Sequence, residues 1–295
     1  MSDTTASLQH QISSAGELKG VVRTMKTLAA SSISQYENAV RALDDYYRTV
    51  QLGLLACFQH KQLITQTKIT AGADKISAVV FGSDQGLVGQ FNDIIANYAA
   101  QTLAGLSGKK TILAVGERVQ VRLQDAGIEP LQVFNVPTIL SLITPLVGQI
   151  LFELEAQRET GAINQVYLFY NCSKSGSVYE PMMQRLLPPD ETWRSDLMQL
   201  HWPTKNLPEI IGGNATSLPA LMQEYLFVSL FRACAQSLAT ENASRLAAMQ
   251  RAEKNIAELL EELNRNFHRL RQNAIDEELF DVISGFEALS KTVQK

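Results

Sequence analysis

Proline is absent from the first 129 residues of this 295-residue chain. Cysteine is scarce: Cys57, Cys172 and Cys234 lie far apart and form no CxxC pair. That usage fits a reducing compartment and argues against a disulfide framework or a zinc site. The four histidines, His10, His60, His201 and His268, are scattered, and none has helical ligand spacing to another or to a cysteine, so no metal site is expected. An excess of basic charge is also missing. The formal net charge is −4 and the pI about 5.7, which excludes a global basic field for nucleic acid. No apolar run approaches the ~18 residues of a membrane span, so direct membrane insertion is not expected, while contact with a membrane protein stays open. The N-terminal residues lack a basic region followed by an apolar core, so no signal peptide is expected. No Gly-x-Ser-x-Gly elbow nominates a nucleophile.

What is present is an unusually long helical pattern. Over residues 216–289, the one proline is Pro219 near the start and the one glycine is Gly285 near the end. Between them Ile256, Leu260, Leu263, Phe267, Leu270 and Ala274 recur at alternating steps of four and three. That period gives a helix with a narrow apolar seam, of the coiled-coil type. Thr216 or Ser217 can cap its start, with Pro219 in a tolerated first-turn position. Some 70 residues at ~1.5 Å each make a rod on the order of 100 Å long. Such a rod is expected to protrude and to need a partner for its seam.

The N-terminal part reads the same way. Tyr36, Val40, Leu43, Tyr47, Val50 and Leu54 step by four and three, continuing a stripe through Leu18, Val22, Met25 and Ala29. One helix of roughly 50 residues is predicted, weakened at Gly16 and Gly20. The alternative is two ordinary core helices broken at those glycines. Between the long helices the texture alternates. Strands are predicted at residues 76–81, 111–115, 131–134 and 166–170 with a further extended segment at 181–187, and helices at 91–103, 117–124 and 138–156. This is an α/β pattern with a mostly parallel sheet covered on both faces. A loop-rich, proline-rich return over 187–217 leads to the second long helix. The expected organisation is a shaft helix over 1–60, an α/β domain over 75–210 and a second shaft helix over 216–290. The two helices pair antiparallel, with a Rossmann-like α/β domain inserted between them.

The turn after the first strand resembles a site. Gly82, Gly86 and Gly89 sit between a strand and a helix, where anions bind in many folds. Their G-x-x-x-G-x-x-G spacing is neither the dinucleotide fingerprint nor the phosphate-binding loop, and no lysine or arginine lies among them. The glycines are read as shaping a tight structural turn. The carboxylate pairs Asp44-Asp45, Glu261-Glu262 and Glu277-Glu278 fall on helices and are read as solvent-facing rather than catalytic. Charge on the second long helix is banded: Glu258, Glu261 and Glu262, then Arg265, His268, Arg269 and Arg271, then Asp276, Glu277 and Glu278. Pairs such as Glu261 with Arg265 support a helix by ~0.3 kcal/mol each. The same banding also suits a rod threaded through a collar of alternating charge. Nothing here nominates a cofactor.

Three motifs together resemble one family. The first helix carries Met25-Lys-Thr-Leu-Ala-Ala-Ser31 and the turn carries Ser83-Asp-Gln-Gly-Leu-Val-Gly89. The second long helix carries Glu241-Asn-Ala-Ser-Arg-Leu-Ala-Ala-Met249, Arg269-Leu-Arg-Gln-Asn-Ala-Ile275 and Val282-Ile-Ser-Gly285 in register. They are similar to A-M-x-M-V-A-A-S, S-D-R-G-L-C-G, E-x-x-x-R-M-x-A-M, N-K-x-R-Q-A-x-I and I-V-x-G of the gamma subunit of F-type ATP synthases. Gln85 and Val88 replace that family's arginine and cysteine, residues 9–19 lack its dense basic cluster, and the loop around Trp202 does not match its foot loop. These departures fit a divergent gamma subunit, such as that of the sodium-translocating paralogue.

The resemblance implies a peripheral, non-catalytic rotor on the cytoplasmic face of the bacterial inner membrane. The paired helices would form a shaft inside the ring of alpha and beta subunits. The α/β domain would rest on the c-ring and bind the epsilon subunit. Arg271 and Gln272 match positions that grip beta near the top of the shaft, Met25 and Lys26 match the stretch facing beta's lower lever, and Glu277 and Leu279 complete the expected contact set. Two other readings remain: a soluble α/β nucleotide-binding enzyme with a helical dimerisation arm, and a coiled-coil tether with a folded head.

Overall fold

The computed structural model describes residues 4–59, 74–175, 178–206, 208–210 and 213–293. In chain order these form α1 (Thr5–Gln59), β1 (Lys75–Phe81), α2 (Phe91–Ala104), β2 (Lys109–Val115), α3 (Glu117–Asp125), β3 (Gln132–Phe134), α4 (Ile143–Glu159), β4 (Gln165–Ser175), β5 (Val178–Leu187), α5 (Glu191–Gln199) and α6 (Asn214–Val293). Two compact units result. One comprises residues 29–245, the other residues 1–28 with 246–295.

The larger unit is built on a five-stranded sheet in the order β3-β2-β1-β4-β5. The first four strands run parallel, and β5 returns antiparallel to β4 as an edge. Side chains alternate across the sheet with period two. Ile76, Ala78, Val80, Ile112, Ala114 and Phe169 face α2 and α3, against Ile95, Ala99, Val119 and Leu123. Val79, Phe81, Leu113, Val115 and Leu168 face the other way, toward Val147 and Ile150 of α4, Leu54 of α1 and Leu230 of α6. Both faces are thus covered, which is why the central strands read as continuous apolar runs.

Within this unit α1 and α6 run antiparallel. Asp44 pairs with Arg232 at 2.9 Å and the Tyr46 hydroxyl donates to Glu224 at 2.7 Å. Further along α1, a Cβ at Gly53 would stand 2.9 Å from Leu221 Cδ2. The glycine therefore lets the two helices close at that level. Arg232 also lies 4.8 Å above the Tyr47 ring.

In the smaller unit the start of α1 and the second half of α6 share one seam. Ala15, Val22, Met249 and Ile256 are buried in it, flanked by Met25, Ala248, Ala252, Leu260 and Leu263. This is the four-and-three stripe of both helices meeting itself. The Lys26 ammonium pairs with the Glu253 carboxylate beside the seam.

Three details differ from the sequence expectation. α1 continues unbroken through Gly16 and Gly20, and a Cβ would meet nothing within 4 Å at either. They cost helix propensity without ending the helix, so the reading of two broken helices does not hold. The return over 187–217 contains a helix, α5, capped by Asp190, whose carboxylate accepts from Trp193 N at 2.7 Å. That bond first of all holds the Asp190 carboxyl below its usual range. Finally, α6 begins at Asn214, which places Pro219 inside it. The carbonyl that loses its donor there, that of Ala215, belongs to an exposed residue that water can serve.

Candidate functional site

The turn between β1 and α2 is tied down by its own side chains. Gly82 N donates to Val115 O at 2.8 Å, and a Cβ at Gly82 would stand 2.2 Å from the Val119 Cβ. Only glycine admits α3 that close. Ser83 N donates to Asn92 Oδ1 at 2.9 Å, and Asn92 Nδ2 donates back to Ser83 Oγ at 2.8 Å. Leu87 and Gly89 take left-handed φ values of 63° and 61°. Gly89 thus meets a conformational need and Gly82 a steric one, whereas a Cβ at Gly86 would meet nothing within 4 Å.

Asp84 decides what the turn can do. Its carboxylate accepts from Glu117 N at 3.0 Å and from Val136 N at 2.8 Å. Glu117 opens α3, so a carboxylate of the chain itself occupies the positive end of that helix. An incoming phosphate would meet a fixed negative charge where a donor is needed. The dimerising nucleotide-binding enzyme finds no support in this geometry.

The turn is fastened to α6. Ser244 Oγ donates to Val88 O at 2.5 Å, joining two of the sequence motifs. One turn of helix away, Arg245 Nη2 donates to Glu241 Oε1 at 2.6 Å, with Glu241 only 5% exposed. Burial first of all pushes the Glu241 carboxyl up to about 7, against the opposing pull of Arg245. Burial likewise raises the Tyr36 hydroxyl, which faces the pair from α1. Asp84, Ser244 and Glu241 stand inside sequence motifs that assign them no role. The i, i+4 spacing of Glu241 and Arg245 was the one local signal for their pairing.

The residues expected to touch partners fall into two groups. Met25 is half-buried in the seam, and Lys26 is engaged by Glu253 within the same unit. Arg271, Gln272, Glu277 and Leu279 all lie on α6 in an exposed run over 271–284. That run includes Ile275, Leu279, Phe280, Val282 and Ile283, large apolar side chains each between 46% and 69% exposed. Among the described residues nothing covers them.

Comparison with known proteins agrees with the geometry. A family model described as ATP synthase matches residues 4–289. The ATP synthase gamma chain of Salinibacter ruber (strain DSM 13855 / M31) is 26% identical over 304 residues, covering 97% of this chain and 98% of that one. The gamma chain of Clostridium botulinum (strain Kyoto / Type A2) is 27% identical over 223 residues, covering 74% of each. Two cryo-EM structures of the Euglena gracilis mitochondrial ATP synthase share the fold. A chain of its OSCP/F1/c-ring assembly superposes with a TM-score of 0.70 at 15% identity, covering 97% of this chain and 94% of that one. A chain of its rotor superposes with a TM-score of 0.65 at 14% identity, covering 92% and 98%. No helix among the described residues is long and apolar enough to cross a membrane. With the family model spanning nearly its whole length, the chain belongs to the ATP synthase gamma-chain family.

Proposed function

We propose that this chain is the central rotor shaft of an F-type ATP synthase, carrying no catalytic group of its own. One observation carries the reading: the exposed apolar run of α6 over 271–284, flanked by Arg271, Gln272 and Glu277. Large apolar side chains left uncovered in their own chain mark a surface that another protein covers. Alpha and beta subunits are the partners that the gamma family supplies for it. Apolar contacts without fixed hydrogen bonds let a shaft slip from one beta subunit to the next. Each beta would meet a different face, and unequal contact free energies would bias its nucleotide site toward one conformation.

The α/β region over 75–210 then docks on the c-ring and epsilon subunit, and the helices over 1–60 and 216–290 form the shaft. Met25 and Lys26 face the lower part of beta, although Lys26 must share its charge with Glu253. Gly82 and Gly89 shape the turn rather than hold a ligand, and Gly86 follows them only by motif. The chain sits peripherally on the cytoplasmic face of a bacterial inner membrane.

Reconstitution tests this. The purified chain is mixed with its alpha and beta subunits. A complex with one copy of the chain, and ATP hydrolysis that depends on that copy, is the expected result. A chain that stays monomeric or homodimeric and ignores alpha and beta would remove the rotor reading.

A further inference from the structure

We propose that Glu241 is a proton-operated latch that sets how firmly the turn over residues 83–89 is held on α6. Glu241 is buried where α6 meets the turn, paired with one guanidinium, Arg245, and with Asp84 as the weakest of the influences that raise its pKa. Among the described residues, Tyr36 from α1 and Cys234 from α6 also face Glu241, and neither adds a positive charge. Glu241 Oε1 is held by Arg245 at 2.6 Å, but Oε2 is buried without a hydrogen-bond partner, as is Arg245 Nε. A buried carboxylate with one idle oxygen is the costly form of that side chain.

The two protonation states act differently on the turn. Ionised, Glu241 is a charge shut away from water, and opening the junction hydrates it. That works against the Ser244-to-Val88 bond three residues along α6. Protonated, Glu241 has no charge to hydrate, and Oε2 becomes a donor instead of an idle acceptor. The turn is then held more tightly. Burial brings this change into the neutral range, with Glu241 pushed up to about 7. The latch uses none of residues 271–284, so it adds to the rotor reading without depending on it.

Amide hydrogen exchange over residues 84–92 of the full chain, corrected for the intrinsic effect of pH, tests the latch. Protection is expected to be at least about fivefold higher at pH 6 than at pH 8. Glu241→Gln, neutral at every pH, should show the high protection at both values. Equal protection of the unaltered chain at both pH values, or an unchanged pH effect in Glu241→Gln, would overturn the proposal. Should Glu241→Gln fail to fold, carbon-13 titration of the Glu241 carboxyl in the unaltered chain decides. A midpoint between about 6 and 8 supports the latch, and one near the ordinary value of about 4.3 sinks it. Asp84→Asn should lower that midpoint by removing the opposing charge.

Discussion

Ser244 on α6 donates its hydroxyl hydrogen to the carbonyl of Val88 across a sequence separation of 156 residues. Both groups are buried, so the bond has no water to replace it. Ser244→Ala leaves the Val88 carbonyl without that donor. A loss of about 1–2 kcal/mol is expected, read from the urea midpoint at unchanged m-value.

The glycines of the turn should separate cleanly. Gly82→Ala places a Cβ 2.2 Å from the Val119 Cβ and should cost about 2–3 kcal/mol or prevent folding. Gly86→Ala meets nothing and should stay within about 0.5 kcal/mol of the unaltered chain. Equal effects at the two positions in thermal unfolding would contradict the geometry.

Arg271→Ala with Gln272→Ala touches an exposed stretch and should leave unfolding of the isolated chain within about 0.5 kcal/mol. In an assembled complex it should lower ATP turnover about five- to tenfold, the size of one lost interface contact of ~1–1.4 kcal/mol. Normal turnover at normal assembly would remove both residues from the contact set.

The Lys26–Glu253 pair is about a quarter to a third exposed on each side. Solvent screening limits it, so a double-mutant cycle with alanine at both positions should give a coupling of about 0.2–1 kcal/mol. Raising salt from 0.05 to 1 M should shrink that coupling.

Stability should also report Glu241. Its folded pKa, about 7, stands above the unfolded value near 4.3. Such a group stabilises the fold fully below the unfolded value, and that contribution is lost as pH rises through about 7. Between pH 5 and 8 the unaltered chain should therefore lose on the order of 1–3 kcal/mol relative to Glu241→Gln. Urea titrations of both chains at several pH values measure the difference.

Architecture was legible where a period repeated many times. The four-and-three stripe announced α1 and α6, and the apolar runs at 76–81 and 166–170 announced central strands. What stayed hidden depended on single contacts. α5 is short, and its start rests on one cap, Asp190, inside a proline-rich stretch. Gly53 carries no signal of its own in the sequence, yet it is where Leu221 packs. The role of Asp84 was invisible because its two donors, Glu117 N and Val136 N, are brought to it only by the folded sheet. The expected contact residues on α6 come from motifs, while their exposure is visible only in the fold, where among the described residues nothing covers them.

Asp84 fills the anion position of its turn from within the chain. Many strand–turn–helix units of this kind switch between an empty and a filled state as a free anion comes and goes. Here the anion is covalently tethered, at an effective concentration that no dissolved ion matches. The position stays filled as long as Asp84 keeps its two bonds to Glu117 N and Val136 N. A socket filled from within the chain is completed by folding itself rather than by a metabolite.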